Sequence, residues 1–179
     1  MTTLLMLTGP AGSGKSTAAA AWASRGTSPR SLIDTDALRW LIRAGVAHPE
    51  HGWTQETQRQ WDVAMDLWKA MVRVYKLHGI DCVVDIYAPP CPPETGDDIM
   101  TELGIRRIVL LPSLEVCLAR NLARNRNPLL EDSDLRSNYE DFAWCVRRHN
   151  PHNVIDNSAL TVDETVEAID AVLRESATS

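Results

Sequence analysis

Eight consecutive residues near the amino terminus have the types and the spacing to bind phosphate. They read Gly9-Pro10-Ala11-Gly12-Ser13-Gly14-Lys15-Ser16 and match the complete P-loop pattern G-x-x-x-x-G-K-[ST]. The apolar run Leu4–Leu7 before them predicts a short buried strand, and the Ala-rich stretch from Thr17 to Ala23 predicts a helix. Because a strand and a helix are the setting that this motif requires, we predict that the chain binds a nucleoside triphosphate.

The positions of the P-loop predict which groups hold the nucleotide. Glycines let backbone N–H groups turn inward around phosphate oxygens, and the helix that begins near Lys15 adds the positive end of its dipole. Lys15 would reach the β- and γ-phosphates, and the Ser16 hydroxyl would hold Mg²⁺. The alternative is a glycine-rich turn that matches by chance. The residues of this stretch predicted to bind ATP are Gly9, Ala11, Gly12, Ser13, Gly14, Lys15, Ser16 and Thr17.

Apolar runs alternate with helical patterns along the chain, and these elements must position the site. Strands are predicted at Leu4–Leu7, Ser31–Ile33, Cys82–Val84, Ile105–Leu111 and Asn153–Ile155. Helices are predicted from Thr17, from Asp36 through Ile42, from Thr54 to Gly79, at Asp97–Leu103, Ser113–Arg124 and Asp134–Arg148, and after the capping box Thr161-Val162-Asp163-Glu164. This alternation indicates a parallel sheet with helices on both faces. The predicted fold is therefore a three-layer α/β domain with a five-stranded parallel sheet, spanning residues 1–179.

The residues after each predicted strand are informative, because parallel α/β sheets bind ligands outside the carboxyl ends of their strands. Asp34-Thr35-Asp36 follows the second strand, Asp85 ends the third, and Asp156-Asn157-Ser158 follows the fifth. Asp85 has the position of a Walker B aspartate and would bind Mg²⁺ through water or hold Ser16. The alternative is an aspartate that only caps a buried loop. The residue directly after Asp85 is not acidic, which favours transfer to an acceptor over hydrolysis.

Composition limits the classes of partner. The 179 residues carry a net charge of −6, and no run of basic residues is present, which counts against a polynucleotide substrate. The first strand starts almost at Met1 and no apolar run approaches the ~18 residues of a membrane span, so a cytoplasmic protein without a membrane partner is expected. The cysteines Cys82, Cys91, Cys117 and Cys145 are widely spaced and form no C-x-x-C pair. This spacing predicts free thiols and no metal site.

The order of these motifs resembles that of the small P-loop kinases, a group that includes chloramphenicol phosphotransferase, gluconate and shikimate kinases and the kinase domain of polynucleotide kinase. The resemblance covers nearly the whole chain. It rests on the P-loop, Asp34-Thr35-Asp36-Ala37-Leu38-Arg39, Val83-Val84-Asp85, Arg120-Asn121-Leu122-Ala123-Arg124-Asn125-Arg126 and Val154-Ile155-Asp156-Asn157-Ser158. It implies the fold of the nucleoside monophosphate kinases, with a short arginine-rich lid at about residues 120–131. It also implies ATP as the donor, Mg²⁺ as the cofactor and a hydroxyl group as the acceptor.

By this resemblance, Asp36 contacts the acceptor hydroxyl and acts as the general base. A carboxylate there would face the γ-phosphate across the cleft and could orient and deprotonate an alcohol. The alternatives are that Asp36 is only the N-cap of the next helix, and that Asp34 is the base. Arg39, one turn further along, matches an arginine of these kinases that contacts substrate or phosphate. Its alternative is a solvated charge on the helix surface.

Three arginines within seven residues form the predicted lid. Arg120 and Arg124 are four residues apart, hence on one helix face, and Arg126 lies just beyond them. The resemblance implies that Arg120 lies near the adenine, while Arg124 and Arg126 neutralise charge on the transferred phosphoryl group. A planar guanidinium suits this task because it can pair with two phosphate oxygens. The alternative is an ordinary basic surface helix.

The acceptor side of the site is expected in two segments, at about residues 36–60 and 86–94. Two tryptophans flank the region after the second strand and could line an acceptor pocket, whereas Trp61 is expected in the core as part of a helical stripe. One tyrosine follows the third strand and should border the same pocket. The predicted substrate-binding residues are Asp36, Arg39, Trp40, Trp53 and Tyr87.

Taken together, the residues and the resemblance predict an ATP- and Mg²⁺-dependent kinase. Its acceptor would be a hydroxyl of a small molecule such as an antibiotic, a nucleoside or a sugar-type compound. The alternatives are a nucleotide-dependent regulatory ATPase or switch, and a polynucleotide 5′-end kinase. A switch would carry an N-K-x-D motif or a water-activating Walker B pair, and the sequence has neither. The acceptor, the preference for ATP over GTP and the oligomeric state, with a homodimer among the alternatives, are left open.

Overall fold

The computed structural model describes residues 2–47, 52–91, 98–123, 131–149 and 153–175. The strands are β1 (Leu4–Thr8), β2 (Arg30–Asp34), β3 (Asp81–Asp85), β4 (Arg106–Leu110) and β5 (Val154–Ile155). The helices are α1 (Lys15–Ala23), α2 (Thr35–Arg39), α3 (Gln55–Leu77), α4 (Asp98–Leu103), α5 (Leu114–Leu122), α6 (Asp132–His149) and α7 (Val162–Glu175). The predicted alternation of strands and helices is confirmed.

The five strands form one parallel sheet in the order β2-β3-β1-β4-β5. Leu7 of the central strand β1 pairs with Asp85 of β3, and Asp34 of β2 pairs with the same aspartate from the other side. The carboxyl ends of β1, β2 and β3 therefore lie next to one another. This register places two of the predicted aspartates beside the start of the P-loop.

Strand β1 is buried on both faces because each face of the sheet carries its own layer of helices. Leu4 and Met6 belong to a core cluster that includes Trp68 of α3. Leu5 and Leu7 point the other way, into a cluster with residues of α1 and α7. The two clusters confirm the predicted three-layer arrangement, and they hold the strand that leads into the P-loop rigidly in place.

The long helix α3 begins as the sequence predicts. The Thr54 hydroxyl accepts a hydrogen bond from the Thr57 N–H at 3.1 Å, and the Thr57 hydroxyl accepts one from the Thr54 N–H at 3.2 Å. This reciprocal pair is a capping box, which satisfies backbone donors that a helix start leaves unpaired. Trp68 and Val72 of the predicted apolar stripe are buried against the sheet.

Helix α2 is shorter than predicted. We expected it to run through Leu41 and Ile42, but the helix ends at Arg39 and the next residues continue as turns with hydrogen bonds between residues three apart. The Leu41 side chain is exposed. Because it has no core to pack against, the apolar pattern beyond Arg39 did not extend the helix.

The prediction of four free thiols is wrong. Cys91, in the segment after β3, and Cys145 of α6 form a disulfide across 54 residues of sequence, with Cα atoms 5.0 Å apart. Cys82 and Cys117 are not part of a disulfide, and both are buried. The pairing depends on how the fold brings the β3 end to α6, which spacing along the chain does not reveal.

Within these described ranges, no helix is both long and apolar enough to cross a membrane. The same residues contain no group of three or more His, Cys, Asp or Glu side chains that could hold a metal ion.

Candidate active site

The P-loop connects β1 to α1 through backbone that glycine adopts readily. Gly12 and Gly14 have φ angles of 78° and 87°, and Gly14 is the N-cap of α1. A Cβ atom on Gly9 would overlap the Leu110 carbonyl oxygen, and one on Gly12 would overlap the Cys117 carbonyl oxygen. The glycines at 9 and 12 therefore let the loop pack directly on the backbone of neighbouring segments. The first turn of α1 begins at Lys15, and the N–H groups of a helix start are a common binding site for phosphate.

Asp85 lies at the carboxyl end of β3 and is 6% exposed. Burial raises the pKa of its carboxyl group, against the opposing effects of Lys15 and of a hydrogen bond from Ser16, and the charges of Asp34 and Asp36 add to the rise. The structure thus brings both predicted metal residues, Ser16 and Asp85, together with Lys15 as the sequence predicts.

The geometry of Asp85 fits a Mg²⁺ ion. Its Oδ1 atom is buried and accepts no hydrogen bond within the described part of the chain. A buried carboxylate oxygen without a donor is costly unless an ion or a water satisfies it. Oxygen ligands and bound waters are what Mg²⁺ prefers in nucleotide sites, so Ser16 and Asp85 are suited to hold it.

Asp34 and Asp36 have different tasks at the start of α2. The Asp34 carboxylate accepts hydrogen bonds from the N–H groups of Asp36 at 3.0 Å and Ala37 at 3.1 Å, so Asp34 is the N-cap. The alternative in which Asp36 is the N-cap is therefore wrong. Asp36 lies in the first turn, exposed to solvent. The Thr35 hydroxyl donates to the Asp85 carbonyl oxygen at 2.9 Å and ties this turn to β3.

Arg120 and Asn157 both bind the backbone of the P-loop. The Arg120 guanidinium donates to the Ser13 carbonyl oxygen at 3.1 Å and to the Asn157 carbonyl oxygen at 3.0 Å. The Asn157 side-chain amide donates to the same Ser13 oxygen at 3.0 Å. These contacts join α5 and the segment after β5 to the loop. The sequence places Asn157 after a strand end, but it does not indicate that the Asn157 amide binds the P-loop backbone.

A cavity of about 130 Å³ lies beside these contacts. It borders the first turn of α1 and the start of α7. Its lining residues are Gly14, Thr17, Ala18, Arg120, Asn157, Leu160, Val162 and Thr165. Three of the predicted nucleotide-binding residues, Gly14, Thr17 and Arg120, thus face the same space, next to the P-loop.

On the other side of the P-loop, aromatic side chains gather near α2. The Arg39 guanidinium lies 5.5 Å from the centre of the Trp61 ring, and the Trp53 ring lies 6.0 Å from the same ring. Trp40 is 54% exposed and Trp53 is 57% exposed. Trp61, which we expected in the core, is only half-buried and connects Arg39 to Trp53. The sequence could not reveal this, because Trp61 follows the same apolar stripe of α3 as the core residues and differs from them only in facing α2.

Tyr87 lies just after β3 and contacts α6. Its ring packs edge-on against Phe142 of α6, with centroids 5.2 Å apart. Burial raises the pKa of the Tyr87 hydroxyl to about 12, with a smaller contribution from the negative charge of Asp141. The structure therefore associates Tyr87 with α6, whereas Trp53 and Arg39 are associated with α3.

Two of the predicted catalytic residues, Arg124 and Arg126, lie outside the described residues. So do parts of the expected lid and acceptor segments, at 124–130, 48–51 and 92–94. Of the lid arginines, only Arg120 has a described position.

Comparison with known proteins identifies a family. The model of the AAA domain family matches residues 4–150, which is most of the chain. A comparison with curated protein sequences found no match.

Solved structures share the fold at low sequence identity. The tunicamycin resistance protein of Deinococcus radiodurans is 17% identical, with a TM-score of 0.65 over 97% of this chain and 96% of that chain. The shikimate kinase of Bacteroides thetaiotaomicron is 18% identical, with a TM-score of 0.59 over 96% of this chain and 98% of the other. A gluconokinase of Sinorhizobium meliloti is 18% identical, with a TM-score of 0.57 over 93% and 88%. The chain belongs to the AAA domain family, and its fold is that of the small P-loop kinases.

Proposed function

We propose that this protein is an ATP- and Mg²⁺-dependent kinase that phosphorylates a hydroxyl group of a small molecule. The observation that carries the proposal is that Asp34 and Asp36 have different roles at the carboxyl edge of the sheet. Asp34 caps α2, and the Asp36 carboxylate is exposed on the edge that also carries Asp85 and the P-loop. An exposed carboxylate opposite a phosphate cradle is the arrangement that phosphoryl transfer to an alcohol needs.

On the donor side, the P-loop binds the phosphates of ATP, and the cavity beside Asn157 receives the adenine ring. Arg120 lines that cavity and lies against the P-loop, so we assign it to nucleotide binding. Lys15 neutralises charge on the β- and γ-phosphates, and we assign Arg124 and Arg126 to the same task in the transition state. Mg²⁺, held through Ser16 and Asp85, supplies further charge neutralisation when it is bound.

On the acceptor side, Asp36 accepts the proton of the attacking hydroxyl. The hydroxyl oxygen forms a bond to the γ-phosphorus while the bond from that phosphorus to the β-phosphate bridging oxygen breaks, and ADP leaves. The products are a phosphate monoester and ADP. Arg39, Trp40 and Trp53 present a guanidinium and two exposed indoles on the same side of the P-loop, and we assign them to acceptor binding.

The acceptor class we favour is a compound with a ring that can lie against an indole face, such as an antibiotic, a nucleoside or a sugar. The names of similar structures, a tunicamycin resistance protein, a shikimate kinase and a gluconokinase, support a small-molecule acceptor. We also propose a cytoplasmic location, because the reaction consumes ATP.

An ADP-release assay over a panel of hydroxyl compounds tests the proposal. The panel contains nucleosides, aminoglycosides, phenylpropanoid antibiotics and sugar acids, each with ATP and Mg²⁺. We expect one class to stimulate ADP release well above the rate without acceptor, with phosphate recovered on the acceptor by mass spectrometry. Slow hydrolysis that no acceptor stimulates would instead favour a regulatory ATPase.

Two substitutions test the general base. Asp36→Asn removes the proton acceptor, and we expect kcat to fall by about 10²- to 10⁴-fold. Asp34→Asn removes the same charge two residues away, but asparagine caps helices as well as aspartate does, so most activity should remain. Equal activity of the Asp36→Asn variant and the wild-type enzyme would disprove this role of Asp36.

A further inference from the structure

We propose that the Cys91–Cys145 disulfide positions the acceptor loop, defined here as residues 86–91, and that opening it weakens acceptor binding. The inference rests on the proposed function and extends it, because it adds the loop after Asp85 to the acceptor side of the site. It adds a covalent link whose oxidation state controls that side of the site. None of the residues predicted from the sequence suggested such a link.

The first half of the acceptor loop is attached to the P-loop strand. The Ile86 N–H donates to the Leu7 carbonyl oxygen at 3.2 Å. The Thr8 hydroxyl donates to the Ala88 carbonyl oxygen at 2.9 Å and accepts from the Ala88 N–H at 3.0 Å. Thr8 directly precedes Gly9 of the P-loop. The loop therefore leaves Asp85 in a fixed direction, held to the residue next to the phosphate cradle.

The second half of the acceptor loop is attached to α6 instead. Tyr87 packs on Phe142, and Cys91 is bonded to Cys145. Phe142 and Cys145 are three residues apart on α6 and are both buried, so they share the helix face that meets the loop. The loop is thus attached at two places, to the P-loop strand by hydrogen bonds and to α6 by a ring contact and a covalent bond.

The support from α6 is firm because the helix has a buried face of its own, on which Leu135 and Phe142 are both 0% exposed. Among the described elements, α6 packs chiefly on α5, and neither core cluster of the sheet includes its residues. Besides the disulfide, the Tyr87–Phe142 ring contact joins the acceptor loop to α6 on this face. An aromatic pair contributes about 0.5–1.5 kcal/mol beyond its buried area, so opening the disulfide leaves the loop less firmly fixed to α6.

A reductant can reach the disulfide from the Cys91 side. Cys145 is 3% exposed, whereas Cys91 is only half-buried. A dithiol reductant can therefore attack the Cys91 sulfur, and the Cys145 sulfur leaves as a thiolate that takes up a proton. The second thiol of the reductant then releases Cys91 and closes its own disulfide. The balance is one protein disulfide and one dithiol giving two protein thiols and one cyclic disulfide.

The other cysteines do not compete in this exchange. Burial raises the pKa of the Cys82 thiol to about 12, so it carries almost no thiolate at neutral pH. Cys117 of α5 is fully buried, and its backbone lies next to Gly12 of the P-loop. A disulfide in a protein that works in a reducing compartment is typically one that forms and opens in service. This agrees with a link that responds to the thiol state around it.

Hydrogen exchange measured by mass spectrometry tests the positioning. The samples are the oxidised protein, the protein reduced with dithiothreitol, and the Cys91→Ser and Cys145→Ala variants. We expect faster exchange in residues 86–91 and in α6 after reduction and in both variants, already at labelling times at which β1 remains protected. Dithiothreitol should have no further effect on the Cys91→Ser variant, which is the matched control. Unchanged exchange in residues 86–91 would overturn the proposal.

Steady-state kinetics test the consequence, using the acceptor that stimulates ADP release. Reduction should raise the KM for the acceptor by about 3- to 10-fold, because a loosened loop must be ordered on binding. The affinity for ADP and the KM for ATP should change much less. Equal acceptor KM in both redox states, with looser exchange, would show a merely structural bond and refute the link to acceptor binding. If no acceptor works in either redox state, the proposed function fails, while the exchange data still decide whether the bond positions the loop.

Discussion

At the scale of single residues, two glycines of the P-loop have similar backbone angles but different surroundings. Gly12 and Gly14 both have φ near +80°, which costs other residues about 1–2 kcal/mol. A Cβ on Gly14 would meet nothing closer than the Arg120 guanidinium at 3.5 Å, but one on Gly12 would overlap the backbone of Cys117. The conformational strain is therefore shared, and the steric overlap is specific to Gly12.

This contrast predicts the effects of two alanine substitutions. Gly14→Ala should cost about 1–2 kcal/mol of unfolding free energy, from backbone strain alone. Gly12→Ala should cost about 1–3 kcal/mol more, because the backbone of α5 must shift to make room. Urea unfolding and ADP titration of both variants measure the two effects. Equal losses in the two variants would mean that the contact with Cys117 does not constrain the loop.

The residues of the site differ in how far sequence alone could locate them. The P-loop and Asp85 belong to local motifs, in which a strand, a turn and a helix follow one another along the chain. The choice between Asp34 and Asp36 as N-cap needed the geometry of two hydrogen bonds. The amide of Asn157 reaches Ser13 across 144 residues, and no local pattern encodes such a contact.

At the scale of elements, helix starts were predicted well and helix ends less well. The helix start predicted at Thr54 and the capping box predicted at Thr161 are both present, because each depends only on side chains within one turn. The end of α2 depends instead on whether Leu41 finds a core to pack against. The pairing of Cys91 with Cys145 likewise depends on how α6 meets the β3 end.

The capping box of α7 predicts a pH dependence. The Glu164 carboxylate accepts hydrogen bonds from the N–H and the hydroxyl of Thr161, both at 2.8 Å. These bonds hold the pKa of Glu164 below its ordinary value. Since the pKa is lower in the folded state, the stabilisation is present above the unfolded pKa and is lost as the pH falls through the folded pKa.

The Glu164→Gln variant measures this effect, because glutamine keeps an acceptor at the same position but carries no charge. Its stability relative to the wild-type protein should improve as the pH falls from neutral through the acid range. Thermal unfolding across that range provides the measurement. The matched control is Glu167→Gln, also exposed and one turn further along α7. An identical pH trend in the two variants would mean that the hydrogen bonds to Thr161 do not stabilise the charged form.

At the scale of the whole molecule, the two core clusters and the disulfide stabilise different parts. The clusters pack the helices on both faces of the sheet, and α6 lies outside both of them. The disulfide connects α6 to the β3 end and closes a long segment of chain that includes α4, β4 and α5. It therefore acts on the stability of the whole fold as well as on the acceptor loop.

Reduction of this disulfide should lower the free energy of unfolding by about 4 kcal/mol, since closing a loop of 54 residues restricts the unfolded chain by that amount in the chain-entropy model. Guanidinium unfolding followed by tryptophan fluorescence, with and without dithiothreitol, measures the difference. The Cys91→Ser variant in the same two conditions controls for effects of the reductant itself and should show one midpoint. Coinciding midpoints for oxidised and reduced wild-type protein would mean that the reduced chain stays equally restricted when unfolded. A lower midpoint shared by the reduced protein and the variant would assign the loss to this one bond.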